Sequence, residues 1–225
     1  PVLGASGSFT LAGSGTVEVG TATAGTALDV TSQSLTFTRM SSGGSLGVIT
    51  SGNVVGGDLV ATGQIRIAPG TGSFTYGRIE GGGIAISGRT VSGGALWART
   101  LDLAISVSGD ASLGAIDAAG DVDVVAGNLG FSLITAGGAF RSANTAMTGT
   151  SISAGGDIDL TTQGDLAVSA LSGASARISS GGIVNISGLQ LTDEVRFFVA
   201  PCIGTGTAPT AVSCRADIDV FTFNW

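Results

Sequence analysis

The residues best suited to chemistry in this chain are carboxylates two positions apart. Close carboxylates can act as the acid and the nucleophile of a glycoside hydrolase, or as ligands for calcium. On a β-strand, however, residues two apart point to the same face, so no cleft opens between them. We therefore expect a solvated face and keep a calcium ion as the alternative. The pairs are Asp121 and Asp123, Asp157 and Asp159, and Asp217 and Asp219.

The composition excludes several further kinds of catalysis and binding. The chain has 225 residues, a formal net charge of −7 and no His, and all nine of its basic side chains are Arg. Without His, neither His-based catalysis nor a His-ligated metal is available. Nucleic-acid binding is disfavoured, because it needs clustered cations on the phosphates. We predict a protein that is not an enzyme and needs no cofactor.

The chain is also predicted to fold without crossing a membrane. Hydrophobic residues make up 43% of it and charged residues 11%, which is the opposite of a disordered segment. Gly, Ser or Thr interrupt every apolar run well short of the ~20 residues of a membrane-spanning helix. The start, Pro1-Val2-Leu3, has neither Met nor a signal-peptide pattern, so we interpret the chain as processed or excised.

Short alternating runs predict an all-β chain. Apolar residues recur with a period of two, and no segment has the i, i+3, i+4 spacing of a helix. Most runs follow a Gly pair or Gly-Asp, which is typical of strands separated by turns. A β-sandwich is disfavoured, since the hairpin dipeptide Asn-Gly is absent. Examples are residues 65–67, 84–86, 121–124, 157–160 and 183–186.

The Gly-containing turns repeat, and the repeat predicts the architecture. Turns at 119–121, 137–139 and 155–157 recur at a constant interval. A period of about 18 residues is typical of a solenoid, in which each coil buries its apolar face against its neighbours. We predict a parallel β-helix over residues 1–188, looser before 118 and regular from 118 to 188. The period aligns three columns, of which the first is predicted to point inward: Val122, Phe140 and Ile158; Val124, Ser142, Leu160 and Ile178; and Ile134, Ile152 and Ala170.

The same period aligns four charged residues of alternating sign, Asp123, Arg141, Asp159 and Arg177. The residues just before them point inward in the predicted register, so these four point outward. Stacked opposite charges stabilise a sheet face modestly, whereas like charges repel. We interpret the column as an outward charge ladder, with a chance alignment as the alternative.

Residues 189–225 differ from the coils and are predicted to form a cap or an assembly segment. The end of a solenoid exposes strand edges and core side chains, which must be covered or paired with a partner. The last residues alternate up to the C-terminus, as expected of a strand that covers this end or is donated to another copy. The apolar residues of this strand are Ile218, Val220, Phe221, Phe223 and Trp225.

Two cysteines, Cys202 and Cys214, lie in the same segment. We predict a disulfide that closes a short loop, with two unrelated thiols as the alternative. A disulfide would indicate an oxidising compartment. The aromatic residues, which are Trp97, Tyr76 and the Phe residues, could form a sugar-binding patch, although stacking in the core is the expected role for most of them.

Runs such as Gly155-Gly156-Asp157-Ile158-Asp159-Leu160 and Gly164-Asp165-Leu166 resemble the repeats of filamentous-haemagglutinin-type exoproteins and autotransporter passengers. The resemblance covers about residues 56–188. It implies a right-handed parallel β-helix secreted to a bacterial surface. The Asn-Pro-Asn motifs typical of that family's secretion module are not found in this sequence.

Three functions follow as expectations. The first is a non-enzymatic, extracellular structural or adhesive β-solenoid that assembles with copies of itself into surface filaments. The second is an adhesin passenger domain that binds a host receptor or a glycan. The third is a polysaccharide-active β-helix of the lyase or tailspike type. A cleft lined by Asp and Arg would favour the third, and exposed aromatic residues on one face would favour the second.

Overall fold

The computed structural model describes residues 1–199, 212–214 and 219–224, and every regular element in these ranges is a β-strand. In chain order the strands are β1 Val2–Ala5, β2 Phe9–Ala12, β3 Thr16–Ala24, β4 Ala27–Ser32, β5 Ser34–Ser42, β6 Ser45–Thr50, β7 Val54–Ala61, β8 Gln64–Ala68, β9 Ser73–Gly81, β10 Gly83–Gly88, β11 Thr90–Ala98, β12 Leu103–Val107, β13 Ala111–Ala118, β14 Val122–Ala136, β15 Phe140–Ala154, β16 Ile158–Thr162, β17 Leu166–Gly173, β18 Ala176–Ser180, β19 Val184–Leu191, β20 Glu194–Val199, β21 Val212–Cys214 and β22 Asp219–Asn224.

Strands β1 to β20 stack in parallel into about 11 coils of about 18 residues, so the predicted all-β parallel β-solenoid is confirmed. Short strands such as β4 pair with β2 and β6, and long strands such as β5 pair with β3 and β7. With ~4.8 Å between paired strands, the coils extend over roughly 50 Å. In the part of the chain that the structure describes, no helix could cross a membrane.

Strands of the β5 type bend once, whereas β14 and β15 each run through a whole coil, and the solenoid has three faces. In β5, Thr38 and Arg39 both point outward, whereas Phe37 and Met40 on either side point inward. The alternation therefore shifts by one residue at a corner. We define face 1 by the short strands, face 2 by the first half of long strands such as β5 and face 3 by their second half; in one coil these are residues 27–32, 34–37 and 39–42. The first parts of β14 and β15, which pair with the short strands β12 and β16, also belong to face 1.

The interior consists of apolar side chains in columns along the axis. Val122, Phe140 and Ile158 are paired in register and at most 1% exposed. The second predicted column, which contains Ser142 between Val124 and Leu160, is also in register. Each coil covers the apolar side of the next, so two of the three columns predicted from the sequence are confirmed.

The third predicted column is wrong by one residue. Ile152 pairs with Leu171 and not with Ala170. The turn between Thr162 and Leu166 is one residue longer than the matching part of β15, between Asn144 and Met147. The step, which is the number of residues between paired positions in neighbouring coils, is therefore longer here than the regular repeat. A constant period cannot detect this insertion.

Glycines at the turns allow successive coils to approach closely. Gly70, with φ of 57°, is the one residue in the described ranges with a positive φ. A side chain at Gly43 would overlap the carbonyl group of Gly25, and one at Gly155 that of Gly137. Close backbone contact therefore explains the Gly repeat better than left-handed turns do.

The parallel coils continue past residue 188, which is the predicted end of the β-helix. β20 pairs in parallel with β18, and Val195 and Phe197 are fully buried in register with Ala176 and Ile178. The apolar residues of β20 thus continue the core columns of face 1. Beyond them, β21 and β22 pair antiparallel with β19 and β20. Cys202 lies outside the described residues, so its disulfide with Cys214 stays a prediction.

Candidate functional site

Aspartates at the turns bind the backbone of the next coil. Asp121 Oδ1 accepts a hydrogen bond from the N–H of Ala139 at 2.8 Å, and Asp165 Oδ1 accepts one from Ile183 at 2.8 Å. The following coil has Gly at the point of contact, because a Cβ at Gly138 would overlap Asp121 Oδ1. The Gly-Asp motif therefore joins coils. Asp102 and Asp110 accept the N–H groups of Asp121 and Asn128 at 2.9 and 3.0 Å.

The carboxylates of the first two Asp-x-Asp pairs are at least partly exposed, as expected, but the two residues of a pair do not share one strand face. In the first pair, Asp121 is a turn residue, whereas Asp123 points outward on face 1. In the second, Asp157 accepts the hydroxyl of Ser175 at 2.7 Å. Asp217 lies outside the described residues. In the ranges described, no three metal-ligating side chains lie together.

Arg141 joins the turn to face 1. Its Nη1 lies 2.9 Å from Asp121 Oδ2 and 3.4 Å from Asp123 Oδ1. The hydrogen bond from Ala139, and then the Arg141 guanidinium, hold the pKa of Asp121 below its ordinary value. The same carboxylates raise the pKa of Arg141. Folding therefore favours the charged form of Asp121.

We expect Asp121 to contribute to the acid stability of the fold. Its folded pKa is lowered, so its contribution is complete above the ordinary aspartate pKa of about 4 and is lost as the pH falls through the lowered value. In Asp121→Asn the amide oxygen can still accept from Ala139, but the ion pair with Arg141 is lost. In Asp121→Ala both contacts are lost. At pH 7 the expected order of stability is wild type, then Asn, then Ala, in keeping with the small contribution of an exposed ion pair.

The measurement is urea unfolding between pH 2 and 7. Both variants should lose stability less steeply than the wild type below about pH 4. The control is Asp29→Asn, since Asp29 is exposed on face 1 with Thr10 and Gly47 as its neighbours in register. If the Asp121 variants follow the wild-type pH profile, the assigned contribution of this carboxylate is wrong.

The four residues of the predicted charge ladder occupy one column on face 1. Asp123 pairs with Arg141, Arg141 with Asp159, and Asp159 with Arg177. The next residue in register is Arg196, which also forms an ion pair with Glu194 at 2.6 Å. The alternation of sign therefore ends at Arg177. The Arg177 guanidinium instead lies over the ring of Phe198, 4.8 Å from its centroid.

A second charged column, on face 3, was missed by the sequence analysis. Arg39, Asp58 and Arg78 are paired in register and alternate in sign. The two steps between them are unequal and both are longer than the regular repeat, so a constant period does not align them. An alignment that allowed each coil its own length could have found them.

Arg78 also belongs to a cluster around Trp97 on face 3. Trp97 lies between Glu80 and Asp117 in the register of neighbouring coils. The guanidinium carbons of Arg78 and Arg99 lie 5.4 and 5.1 Å from the centroid of the Trp97 ring. Glu80 contacts both arginines, Arg99 Nε at 3.2 Å and Arg78 Nη2 at 3.8 Å. We call these five residues the Trp97 cluster.

The two aromatic residues singled out in the sequence have different environments. Tyr76 points into the core and stacks on Phe74 with 5.1 Å between ring centroids. Burial raises the pKa of Tyr76. Core stacking is therefore confirmed for Tyr76, whereas Trp97 lies on the outer surface and is partly exposed.

The predicted assembly strand is found in part. Val220, Phe221 and Phe223 lie in β22, which pairs antiparallel with β20. Ile218 and Trp225 lie outside the described residues. The strand thus returns along the last coil of its own chain, and its donation to another copy remains a prediction.

Depressions over the outer faces are shallow. One of about 230 Å³ lies over Asp123, Arg141 and Asp159 on face 1. Another, of about 290 Å³, lies between Arg66 and Asp123 where the outward residues are Ala85 and Ala104. Both are bounded by side chains of a single sheet face.

Comparison with protein-family models, curated proteins and solved structures gives no significant match. The structural class therefore follows from the strand pairing itself. The protein is a β-helix repeat protein, a parallel β-solenoid with charged clusters on two of its outer faces.

Proposed function

We propose that this protein is a non-enzymatic structural or adhesive β-solenoid of a bacterial surface that assembles with copies of itself. One observation carries the proposal: turn carboxylates such as Asp121 and Asp165 are engaged with the next coil, around an apolar core. A rod built in this way presents chemistry on its outer faces and at its ends. The repeats resemble those of filamentous-haemagglutinin-type exoproteins, which supports secretion to the cell surface.

The first coil supports self-assembly through the N-terminal end. Within the described ranges, β1 pairs with β3 alone and β2 with β4 alone, so each has a free edge. Phe9 and Leu11 at this end are only partly buried against the core. Free strand edges beside apolar side chains favour pairing with another chain. Contact between identical ends would close a dimer, whereas contact between opposite ends would extend into a filament.

The test places positive charge on this end. Phe9→Lys combined with Leu11→Lys should weaken association at least tenfold, because a charged side chain at an edge opposes pairing. The control is Ser106→Lys combined with Thr148→Lys, which adds the same charge at exposed positions in the middle of the solenoid. Sedimentation velocity over a concentration series, with negative-stain microscopy, measures association.

We expect the wild type and the control variant to form larger species as concentration rises, and the end variant to remain monomeric. Circular dichroism verifies that all three are folded. A wild type that stays monomeric throughout, or equal association of the two variants, would contradict assembly through this end.

A further inference from the structure

We infer that the Trp97 cluster on face 3 binds a saccharide that carries a carboxylate, of the uronic acid class. This inference rests on the adhesive part of the proposed function and names its ligand. It does not depend on association through the ends of the solenoid.

The aromatic ring provides the first part of the site. Trp97 points outward from the flat face 3 and is partly exposed. The guanidinium groups of Arg78 and Arg99 lie over its ring, so a sugar that stacks on Trp97 takes the place of one of them. The C–H faces of pyranose rings pack against aromatic rings of this kind, and Trp suits sites that are apolar on one side and wet on the other.

The two arginines provide the charge. Arg78 and Arg99 share the single carboxylate of Glu80, and their side chains remain 37% and 52% exposed. A second carboxylate could pair with the exposed guanidinium of Arg99 in the bidentate geometry that Arg favours. In the described ranges Arg78 Nε is buried without a hydrogen-bond acceptor.

Charged residues of the cluster lie on both sides of Trp97 along the solenoid axis. Arg78 and Glu80 lie one coil before Trp97, and the exposed Asp117 lies one coil after it. Neighbouring coils are ~4.8 Å apart, which is close to the width of one pyranose ring. In the proposed complex the uronate displaces the Arg99 guanidinium from the Trp97 ring and pairs with it through its carboxylate, with ring hydroxyls on the side of Asp117. The carboxylate of Asp117 can accept hydrogen bonds from those hydroxyls.

The test compares two ligands that differ at one carbon, methyl β-D-glucuronide and methyl β-D-glucoside. Saturation-transfer NMR titrations give the affinity of each. We expect the glucuronide to bind at least tenfold more tightly than the glucoside, and more weakly as salt is added. Trp97→Ala and Arg99→Gln should each reduce glucuronide affinity at least tenfold. Arg66→Gln, at an exposed arginine on face 1, should leave it unchanged.

Equal affinity for the two glycosides, or unchanged glucuronide binding in Trp97→Ala and Arg99→Gln, would overturn the inference. If Trp97→Ala does not fold, Trp97→Phe, which keeps a smaller ring, replaces it and should bind with intermediate affinity. Sedimentation of the same variants separates the two proposals. Self-association that persists without glucuronide binding contradicts the ligand site alone, and binding by a strictly monomeric protein contradicts assembly alone.

Discussion

Replacement of Gly149 by Ala is expected to lower the free energy of unfolding by about 1–3 kcal/mol, the usual cost of overpacking a core. Gly149 is in register with Phe131 of the preceding coil, and a Cβ at Gly149 would overlap the end of the Phe131 ring. The interior is close-packed, so the ring can move away only by displacing other core residues.

Two further pairs have the same arrangement on face 2. Phe37 lies against Gly56, and Tyr76 lies against Gly93. An aromatic ring in one coil is thus accommodated by the missing side chain in the next. We expect the arrangement to act as a unit, so that Gly149→Ala becomes less harmful when Phe131 is shortened to Leu.

Urea unfolding of the four proteins in this double-mutant cycle provides the measurement. Gly130→Ala is the matched control, because Gly130 is also a strand residue and the nearest atom to its Cβ would be the Ala111 carbonyl oxygen at 3.9 Å. The control should be neutral or slightly stabilising, since Ala restricts the unfolded chain more than Gly does. Equal effects of Gly149→Ala and Gly130→Ala would show that the ring does not need the glycine.

Phe140→Ala is expected to have the largest effect, a loss of about 3–5 kcal/mol in the free energy of unfolding. Phe140 is fully buried and lies in register between Val122 and Ile158. Its removal leaves a cavity that the neighbouring coils cannot fill without distortion. Phe140→Leu keeps most of the volume and should cost less than about 1.5 kcal/mol.

The loss of stability caused by Phe140→Ala should also be confined to the coils near residue 140. Each coil of a solenoid contacts only its neighbours, so stability is approximately a sum of coil and interface contributions. Hydrogen exchange of Phe140→Ala should show the greatest loss of protection in β14, β15 and β16, with β4 and β6 much less affected. A uniform loss over all coils would instead indicate a single cooperative unit.

The sequence by itself was sufficient to predict the fold class. Period-two alternation indicated the strands, and evenly spaced Gly turns indicated the coils, since the buried face of each coil must match the next. In the regular part of the chain the period also aligned Val122 with Phe140 and Asp123 with Arg141. Both columns follow from a step that stays constant over several coils.

The candidate site could be predicted only in part from the sequence. The outward position of Asp159 followed from the alternation, but the bond of Asp121 to the next coil did not, because the turn conformation is not encoded in a period. The Trp97 cluster also depends on unequal steps, since the step from Glu80 to Trp97 is shorter than the step from Trp97 to Asp117. No fixed period would align these three residues.

The tertiary structure alone decided how coils of unequal length are matched. Adding or removing a residue in a turn changes the free energy of folding little, whereas the core columns must stay in register. Insertions therefore occur in the exposed turns. This is why Ile152 stacks on Leu171 instead of Ala170. For the same reason Phe37 meets Gly56, and Phe131 meets Gly149, although the first step is one residue longer than the second. The sequence determined that there would be coils, and packing determined which residues face each other across them.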